Sequence, residues 1–260
     1  MHLRFVALLT LAMVSPAVFA DAIKNAFPVA TIYPSSVGIL YPGFSVAAGV
    51  NGAAIPKAAR GTAVQVGYAP PLRSWQSHGL FGSVAHAKGS FGVGAGYTGA
   101  IDGTGAFTHG AFAGAGYNID TFSFGMSVRE DNLAAGISPE IDAGLIAETK
   151  FFDLGLAFYR LNYSPNMAIA IGTRSGSRMN LELNVLMPPF YDMAGGDYQI
   201  TLSAQLDVGL IGVYFRTTFH TSWRGLTHTV GLGGWVGEAV NLTAQYGTSD
   251  QATAALTFVF

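Results

Sequence analysis

The feature that most constrains this chain is an alternation of apolar and polar residues with a period of two, clearest at the C-terminus. Two interleaved sets occur there: Ala252, Ala254, Leu256, Phe258 and Phe260 against Gln251, Thr253, Ala255, Thr257 and Val259. Successive side chains of a β-strand point to opposite faces, whereas a helical period of 3.6 would lose this phase within one turn. The pattern therefore predicts a strand with one apolar face and one more polar face.

Similar runs recur along the chain and predict about fourteen strands, with about twelve as the alternative, because Ala and Gly fill both faces of the second and fourth runs. The predicted strands are 62–69, 80–87, 91–97, 108–117, 121–129, 140–149, 152–159, 167–173, 179–187, 198–207, 211–220, 227–236, 240–246 and 251–260. Short Gly-, Asn-, Asp- and Ser-rich connections alternate with longer ones. That alternation is typical of an antiparallel barrel with short turns at one end and loops at the other.

The composition indicates where such a barrel would lie. Half of the residues are apolar and only 11% are charged, against ~25% in ordinary soluble domains. After residue 20 no stretch reaches the ~18 uninterrupted apolar residues of a membrane-spanning helix. A chain that is apolar overall but nowhere continuously apolar fits a barrel that distributes its lipid face over every second residue. We therefore predict an all-β fold, a transmembrane antiparallel β-barrel formed by residues 61–260.

The N-terminus predicts export. A basic start at residues 1–4, an apolar run at 5–14 and small residues before Asp21 are typical of a cleaved signal peptide, residues 1–20. The chain has no cysteine, so no disulfide framework is expected. We predict location in the outer membrane of a Gram-negative bacterium, in contact with the lipid bilayer and lipopolysaccharide. Phe258 and Phe260 on the last strand are predicted to be the signal that the barrel-assembly machinery reads.

Residues 21–60 differ from the rest of the chain. They alternate only weakly, at 44–50, and contain Pro28, Pro34, Pro42 and Pro56. Proline at this density disfavours central strands. The segment is predicted to plug the lumen or to lie on the periplasmic side. As a plug, it would pack its apolar side chains against the small residues around Gly92, Gly94 and Gly96; these side chains are Phe27, Ile32, Ile39, Leu40 and Phe44.

The inward positions predict a lumen with two unlike walls. The first strands present mainly Gly and Ala, and the glycines at 92, 94 and 96 either make room inside the barrel or let the strand kink. Later strands carry the predicted lumen-lining polar residues: Asp142, Glu148, Arg178, Glu182, Asp207, Arg216 and His220. Two interpretations remain open for them, ion pairing within a packed interior or a permeation path.

No catalytic or metal-binding pattern stands out. The histidines are far apart and lack metal-ligand spacing, so neither a metal nor a cofactor is expected. Ser203, Asp207 and His220 all fall on inward faces, but a hydrated lumen contains such residues anyway, and an enzyme is not predicted. The net charge is only −2 and the basic residues are scattered, so nucleic acid is not an expected partner.

Two local motifs resemble those of the FadL-type outer-membrane transporters of hydrophobic compounds. Asn51-Gly52-Ala53-Ala54-Ile55-Pro56 resembles the Asn-Pro-Ala-Gly-Leu element before the first strand of that family, with Gly52 in place of Pro. Residues 117–125 resemble its hairpins. The resemblance implies a fourteen-stranded barrel with an N-terminal hatch and passive uptake of a small hydrophobic solute. A structural or interaction barrel with a filled lumen and a small porin are the alternatives.

Overall fold

The strands close into one barrel in the computed structural model, which describes residues 40, 47–58, 61–70, 78–101, 105–130, 133, 137–173, 179–193, 196–221, 225–237, 239–247 and 251–260. The predicted signal peptide and residues 21–39 and 41–46 lie outside these ranges. Within them, all fourteen strands pair antiparallel with their neighbours in the chain, and the first strand pairs with the last. The predicted fold class and strand number are confirmed.

The fourteen strands agree closely with the runs of alternating residues. They are β1 (Gly61–Ala69), β2 (His78–Lys88), β3 (Phe91–Ile101), β4 (Phe107–Ile119), β5 (Phe122–Glu130), β6 (Glu140–Glu148), β7 (Phe152–Tyr159), β8 (Asn166–Thr173), β9 (Met179–Leu186), β10 (Gln199–Val208), β11 (Ile211–His220), β12 (Gly225–Val236), β13 (Val240–Gly247) and β14 (Gln251–Val259). Most observed ends lie within one or two residues of the predicted ends.

The last residue of the chain takes part in closing the barrel. β1 and β14 pair from Ala63 opposite Val259 to Tyr68 opposite Ala254. Beyond that register, the Phe260 N–H donates to the Thr62 carbonyl at 2.8 Å and the Thr62 N–H donates to the Phe260 carbonyl at 3.1 Å. Phe260 therefore extends the closing ladder with its backbone, while its ring lies outside, 78% exposed.

The two ends of the barrel differ in their connections. At the end where β1 begins, here called the turn end, β2–β3, β4–β5 and β10–β11 are joined by residues 89–90, 120–121 and 209–210. Gly89 and Gly209 have φ of 63° and 65°, in the left-handed region that glycine tolerates best. The opposite end, here called the loop end, carries longer connections such as 131–139 and 187–198. These lengths agree with the predicted alternation.

The outer face of the barrel is apolar. Leu183, for example, faces outward between Leu202 and Ile171 of the adjacent strands and is 44% exposed. Exposed aromatic residues of the strands lie towards both ends, such as Phe107 near the loop end and Tyr117 near the turn end. An apolar band between aromatic belts is the surface of a membrane-spanning barrel. Among the described residues, no helix has the length and apolar character needed to cross a bilayer.

A short helical segment precedes β1 and lies inside the barrel. It consists of α1 (Ala47–Val50), a 3-10 turn η1 (Gly52–Ala54) and α2 (Ile55–Ala58), and it contacts strands β2 to β6. The Asn51 side chain caps η1 by accepting a hydrogen bond from the Ala53 N–H at 3.1 Å. Residues 47–50 belong to the run with weak alternation, and they form a helical turn and not a strand.

Candidate functional site: the barrel lumen

A row of very small residues crosses six neighbouring strands on the inner face. The paired registers place one residue from each of β3 to β8 in line: Gly92, Gly116, Gly125, Gly144, Ala157 and Ala168. A strand glycine has no side chain to occupy the interior, so another backbone can approach the sheet closely there. This glycine row forms a groove along one wall of the lumen.

Residues 51–55 occupy that groove. A Cβ added at Gly125 would lie 2.0 Å from the Gly52 carbonyl carbon, and one added at Gly116 would lie 2.3 Å from the Gly52 carbonyl oxygen. At Gly144 an added Cβ would lie 1.8 Å from the Asn51 Oδ1 atom. These separations are shorter than any ordinary contact of a Cβ atom. Glycine is therefore required at Gly116 and Gly125 by the close approach of the Gly52 backbone, and at Gly144 by the position of the Asn51 side chain.

Polar contacts hold this N-terminal part of the chain at several heights in the lumen. The Lys57 Nζ atom lies 2.5 Å from a Glu148 carboxylate oxygen near the turn end. The Tyr159 hydroxyl donates to the Val50 carbonyl at 3.1 Å. Further along, the Leu40 N–H donates to the Glu182 carboxylate at 3.1 Å, on the opposite wall. Two of the predicted lumen-lining carboxylates therefore bind the segment itself.

A cluster of charges lies on the inner face of β5 and β6 near the loop end. Arg129 donates to Glu140 at 2.7 Å and lies 3.8 Å from Asp142. Asp142 also accepts the backbone N–H of Arg160 at 2.9 Å, and the Arg160 guanidinium lies 2.7 Å from Glu140. Arg129 and Asp142 are buried. Opposite charges within such distances stabilise each other, so this cluster is an ion-pair network.

A second charged pair spans three strands of the opposite wall. Glu182 on β9 is directly opposite Ser203 on β10, and Ser203 is directly opposite Arg216 on β11. Neighbouring strands lie ~4.8 Å apart, so the backbones of Glu182 and Arg216 lie about 10 Å apart with only the small serine between them. Their electrostatic interaction is favourable, and Glu182 and Ser203 are fully buried.

The remaining predicted lumen residues have local partners. Asp207 accepts two hydrogen bonds from the Gln205 amide, at 3.1 and 3.0 Å, and the His220 ring lies 3.3 Å from Asp197. Ser203 and Asp207 lie four residues apart on β10, about 13 Å at strand spacing. His220 is opposite Gln199, equally far from Ser203 along the sheet. Ser203, Asp207 and His220 therefore do not meet in a catalytic arrangement. Arg178 lies outside the described residues.

The three glycines of β3 make room and do not kink the strand. β3 pairs without interruption from Phe91 to Ile101 with both neighbours, so no distortion occurs. A Cβ at Gly92 would lie 2.7 Å from Ile55, and one at Gly94 would lie 3.0 Å from Ala48. Gly96 is instead covered by the Phe112 ring of β4, 2.2 Å from an added Cβ. The prediction of space for a plug fits Gly92 and Gly94, whereas the kink is not observed.

Uncharged residues line the rest of the lumen. The inward positions of β12 to β14 and β1 to β4 carry no ionisable group of Asp, Glu, Lys, Arg or His type in the part of the chain that the structure describes. The large rings here lie against the wall. Phe81 covers Gly67, where an added Cβ would be 2.0 Å from the ring, and Tyr214 lies over Gly233. Glycine opposite an aromatic ring lets the ring lie flat, so it takes less of the lumen.

Sequence analysis assigned no role in the lumen to Lys57, Gly116, Arg129 and Tyr159, and it named Asn51 only as part of the FadL-like motif. Arg129 ends a predicted strand on its inward parity, and Lys57 is a basic residue within a predicted plug. Those two signals were present in the sequence. The role of Gly116 needed the register between strands, because only the register aligns it with Gly92, Gly125 and Gly144.

Comparisons with known proteins find similarity at the level of the barrel. A scan against models of protein families and a search of curated proteins each find no match. Among solved structures, the chain is similar to a variant of the Rh. blastica porin, with a TM-score of 0.45 at 10% identity over 76% of this chain and 98% of that chain. A second variant of the Rhodopseudomonas blastica porin gives a TM-score of 0.45 at 11% identity with the same coverage. Similarity of this degree says nothing about what the lumen of the present chain contains or passes.

Proposed function

We propose that this chain is an outer-membrane channel for the passive passage of small solutes, closed in this structure by its own N-terminal segment. The observation that carries the proposal is the position of residues 47–58 inside a barrel whose ladder is complete without them. Among the described residues, the segment is held by the Lys57–Glu148 ion pair, by hydrogen bonds and by packing on the glycine row. It can therefore move without breaking a strand pair, which is what a movable closure requires.

The outer-membrane location rests on the surface and on the predicted signal peptide. An apolar outer face bounded by aromatic residues suits a bilayer, and closed barrels are the β-structures that satisfy every backbone group there. The lipid bilayer, lipopolysaccharide and the barrel-assembly machinery are proposed partners on the same grounds. The backbone pairing of Phe260 with Thr62 supports a role for the C-terminus in assembly, since it completes the closing ladder.

Single-channel recording in planar bilayers tests the closure. Lys57→Met removes the ion pair to Glu148 and is expected to raise the open probability above that of the intact protein. Lys88→Met is the matched control, because Lys88 is an exposed lysine at the same end of the barrel, on the outward face of β2. Equal open probability in the wild type and both variants would contradict closure by this segment.

A barrel with a permanently filled lumen is the second candidate, and one observation favours it. Inward side chains are buried on both walls, for example Ile146 on β6 and Thr243 on β13. The two candidates differ for a chain that lacks residues 21–58. The channel proposal expects a folded barrel with discrete conductance steps, whereas the filled barrel would either fail to fold or show no steps.

The FadL resemblance adds a hydrophobic solute to the channel proposal. The lumenal position of residues 47–58 supports the hatch that this resemblance implies, and the Asn51-Gly52-Ala53 motif is the part that enters the glycine row. The polarity of the solute depends on the wall opposite the segment. That wall is the inner face of β13 and β14, and its uncharged polar side chains favour a polar solute and therefore the small-porin alternative.

A further inference from the structure

We infer that the solute path runs along the inner face of β13 and β14 and takes small, uncharged solutes that carry several hydrogen-bonding groups, such as polyols. This inference rests on the proposed channel function. The inner face of these two strands forms a hydroxyl–amide strip, defined by five side chains: Asn241, Thr243, Gln245, Thr253 and Thr257. The register places Asn241 directly opposite Thr257 and Gln245 directly opposite Thr253, with Thr243 between them, so the strip extends over both strands.

The polar atoms of the strip are not all used by the protein. The Gln65 amide of β1 donates to the Thr257 hydroxyl at 3.0 Å, which pairs one edge of the strip. Asn241 Oδ1, Thr243 Oγ1 and Thr253 Oγ1, in contrast, are buried and have no hydrogen-bond partner. Most buried polar groups in proteins are paired, and an unpaired one costs about 1–3 kcal/mol. Three such atoms on two adjacent strands indicate a surface suited to a state in which solute or water pairs with them.

The charge distribution sets the class of solute. The strip and the neighbouring inner faces of β12 and β1 have no charged side chain among the residues described, and so offer no counter-charge to an ion. The charges that do face the lumen are engaged elsewhere, Arg129 with Glu140 and Lys57 with Glu148. Ion-selective pores instead present rings of charge or carbonyl groups along the path. An uncharged hydrogen-bonding solute therefore matches the strip better than an ion.

Aromatic rings on both sides of the strip lie flat against the wall, while the strip itself is buried in this closed structure. Thr243 adjoins Gly233 of β12, where an added Cβ would lie 2.9 Å from the threonine methyl group and 3.1 Å from the Tyr214 ring. The tyrosine therefore lies along the wall, over glycine. On the other side, Phe81 lies over Gly67 in the same way. The strip is thus bordered by two flat rings and faces the wall that holds residues 47–58.

Swelling of proteoliposomes in an osmotic gradient of sorbitol, an uncharged polyol, tests the inference. The double variant Thr243→Val/Thr253→Val keeps the shape of both side chains and removes both hydroxyls. We expect sorbitol permeation to fall by about two- to tenfold for each hydroxyl lost, with KCl conductance changed much less. Thr243→Ser/Thr253→Ser retains the hydroxyls and is expected to restore permeation. Thr217→Val is the control for the substitution itself, because Thr217 faces outward and binds His228 at 2.9 Å.

The outcomes separate this inference from the function on which it rests. Heat-modifiable migration in gels verifies that each variant is folded, and Thr243→Ala/Thr253→Ala, which also removes both hydroxyls, replaces the valine variant if that one does not fold. If the valine variant conducts KCl and its sorbitol permeation is unchanged, the solute path does not run along the strip. The proposed channel function is not affected by that result. Block of the KCl current by octanol but not by sorbitol overturns the solute class in favour of a hydrophobic one. No conductance in the wild type or in Lys57→Met overturns the channel function.

Discussion

Replacing Gly125 with alanine is expected to force residues 52–53 out of the glycine row. An added Cβ would lie 2.0 Å from the Gly52 carbonyl carbon and 2.1 Å from the Ala53 nitrogen, whereas ordinary contacts begin at 3.4 Å. The close atoms belong to backbone on both sides, so no flexible side chain can yield. The segment must therefore move away from β5 by about 1.4 Å. Overpacking of this kind costs about 1–3 kcal/mol, and that cost should appear as weaker closure.

Single-channel recording and denaturant unfolding in lipid together measure the effect. Gly125→Ala is expected to raise the open probability and to lower the free energy of unfolding by no more than that cost, since the strands keep their ladder. Gly82→Ala is the matched control, because Gly82 is a strand glycine on the outer face whose added Cβ would meet nothing nearer than 3.7 Å. If Gly125→Ala and Gly82→Ala behave alike in both assays, the packing of Gly52 on the glycine row is refuted.

Two further predictions concern assembly and the lipid face. Deleting Phe260 is expected to lower the amount of folded barrel in the outer membrane more than Phe260→Ala does, because only the deletion removes both backbone bonds that extend the β1–β14 ladder; equal levels of all three proteins on immunoblots would contradict this. Leu183→Arg is expected to lower the free energy of unfolding by about 2–4 kcal/mol and Leu210→Arg, in a turn at the barrel end, by about 0–1 kcal/mol. If a denaturant titration shows a larger loss of unfolding free energy for Leu210→Arg than for Leu183→Arg, the placement of Leu183 near the bilayer midplane and of Leu210 at the barrel end is contradicted.

The strands were predictable because the pattern that defines them is local. A barrel exposes one face of every strand to lipid and the other to its interior, so hydrophobic residues must alternate within each run. Glu182 and Leu183 illustrate this, since adjacent residues take opposite faces and the parity assigned from sequence agrees with both. Turn chemistry reinforced the boundaries, with Gly89 and Gly209 at left-handed positions between strands. Strand number then followed from counting runs.

The N-terminal segment was predictable only in part, because its conformation is decided by contacts far away in the chain. The sequence predicted only that residues 21–60 differ from the sheet, with weak alternation at 44–50, and did not predict that residues 47–50 form a helical turn. That turn and η1 are too short to be stable alone. They are stabilised by burial against β3 to β6 and by the Asn51 cap. The helix propensity of a short stretch does not reveal contacts with distant strands. The sequence therefore showed only, through its prolines and weak alternation, that the segment does not belong to the sheet.

Sequence analysis left two interpretations open for the lumen charges, ion pairing within the interior and a permeation path. A choice between them requires the register between strands, which composition does not reveal. Parity places Glu182 and Arg216 inward, but whether they meet depends on which residue of β10 lies between them. The structure puts Ser203 there, and a serine is small enough to let both side chains interact above it. A larger residue at that point would hold them apart as separate charges. Arg129 forms an ion pair with Glu140, and Glu182 interacts favourably with Arg216 at longer range, so these charges are balanced within the protein. What remains available to a solute is the uncharged wall of β13 and β14, which parity also placed inward but which drew no attention as a site because threonine and asparagine carry no charge.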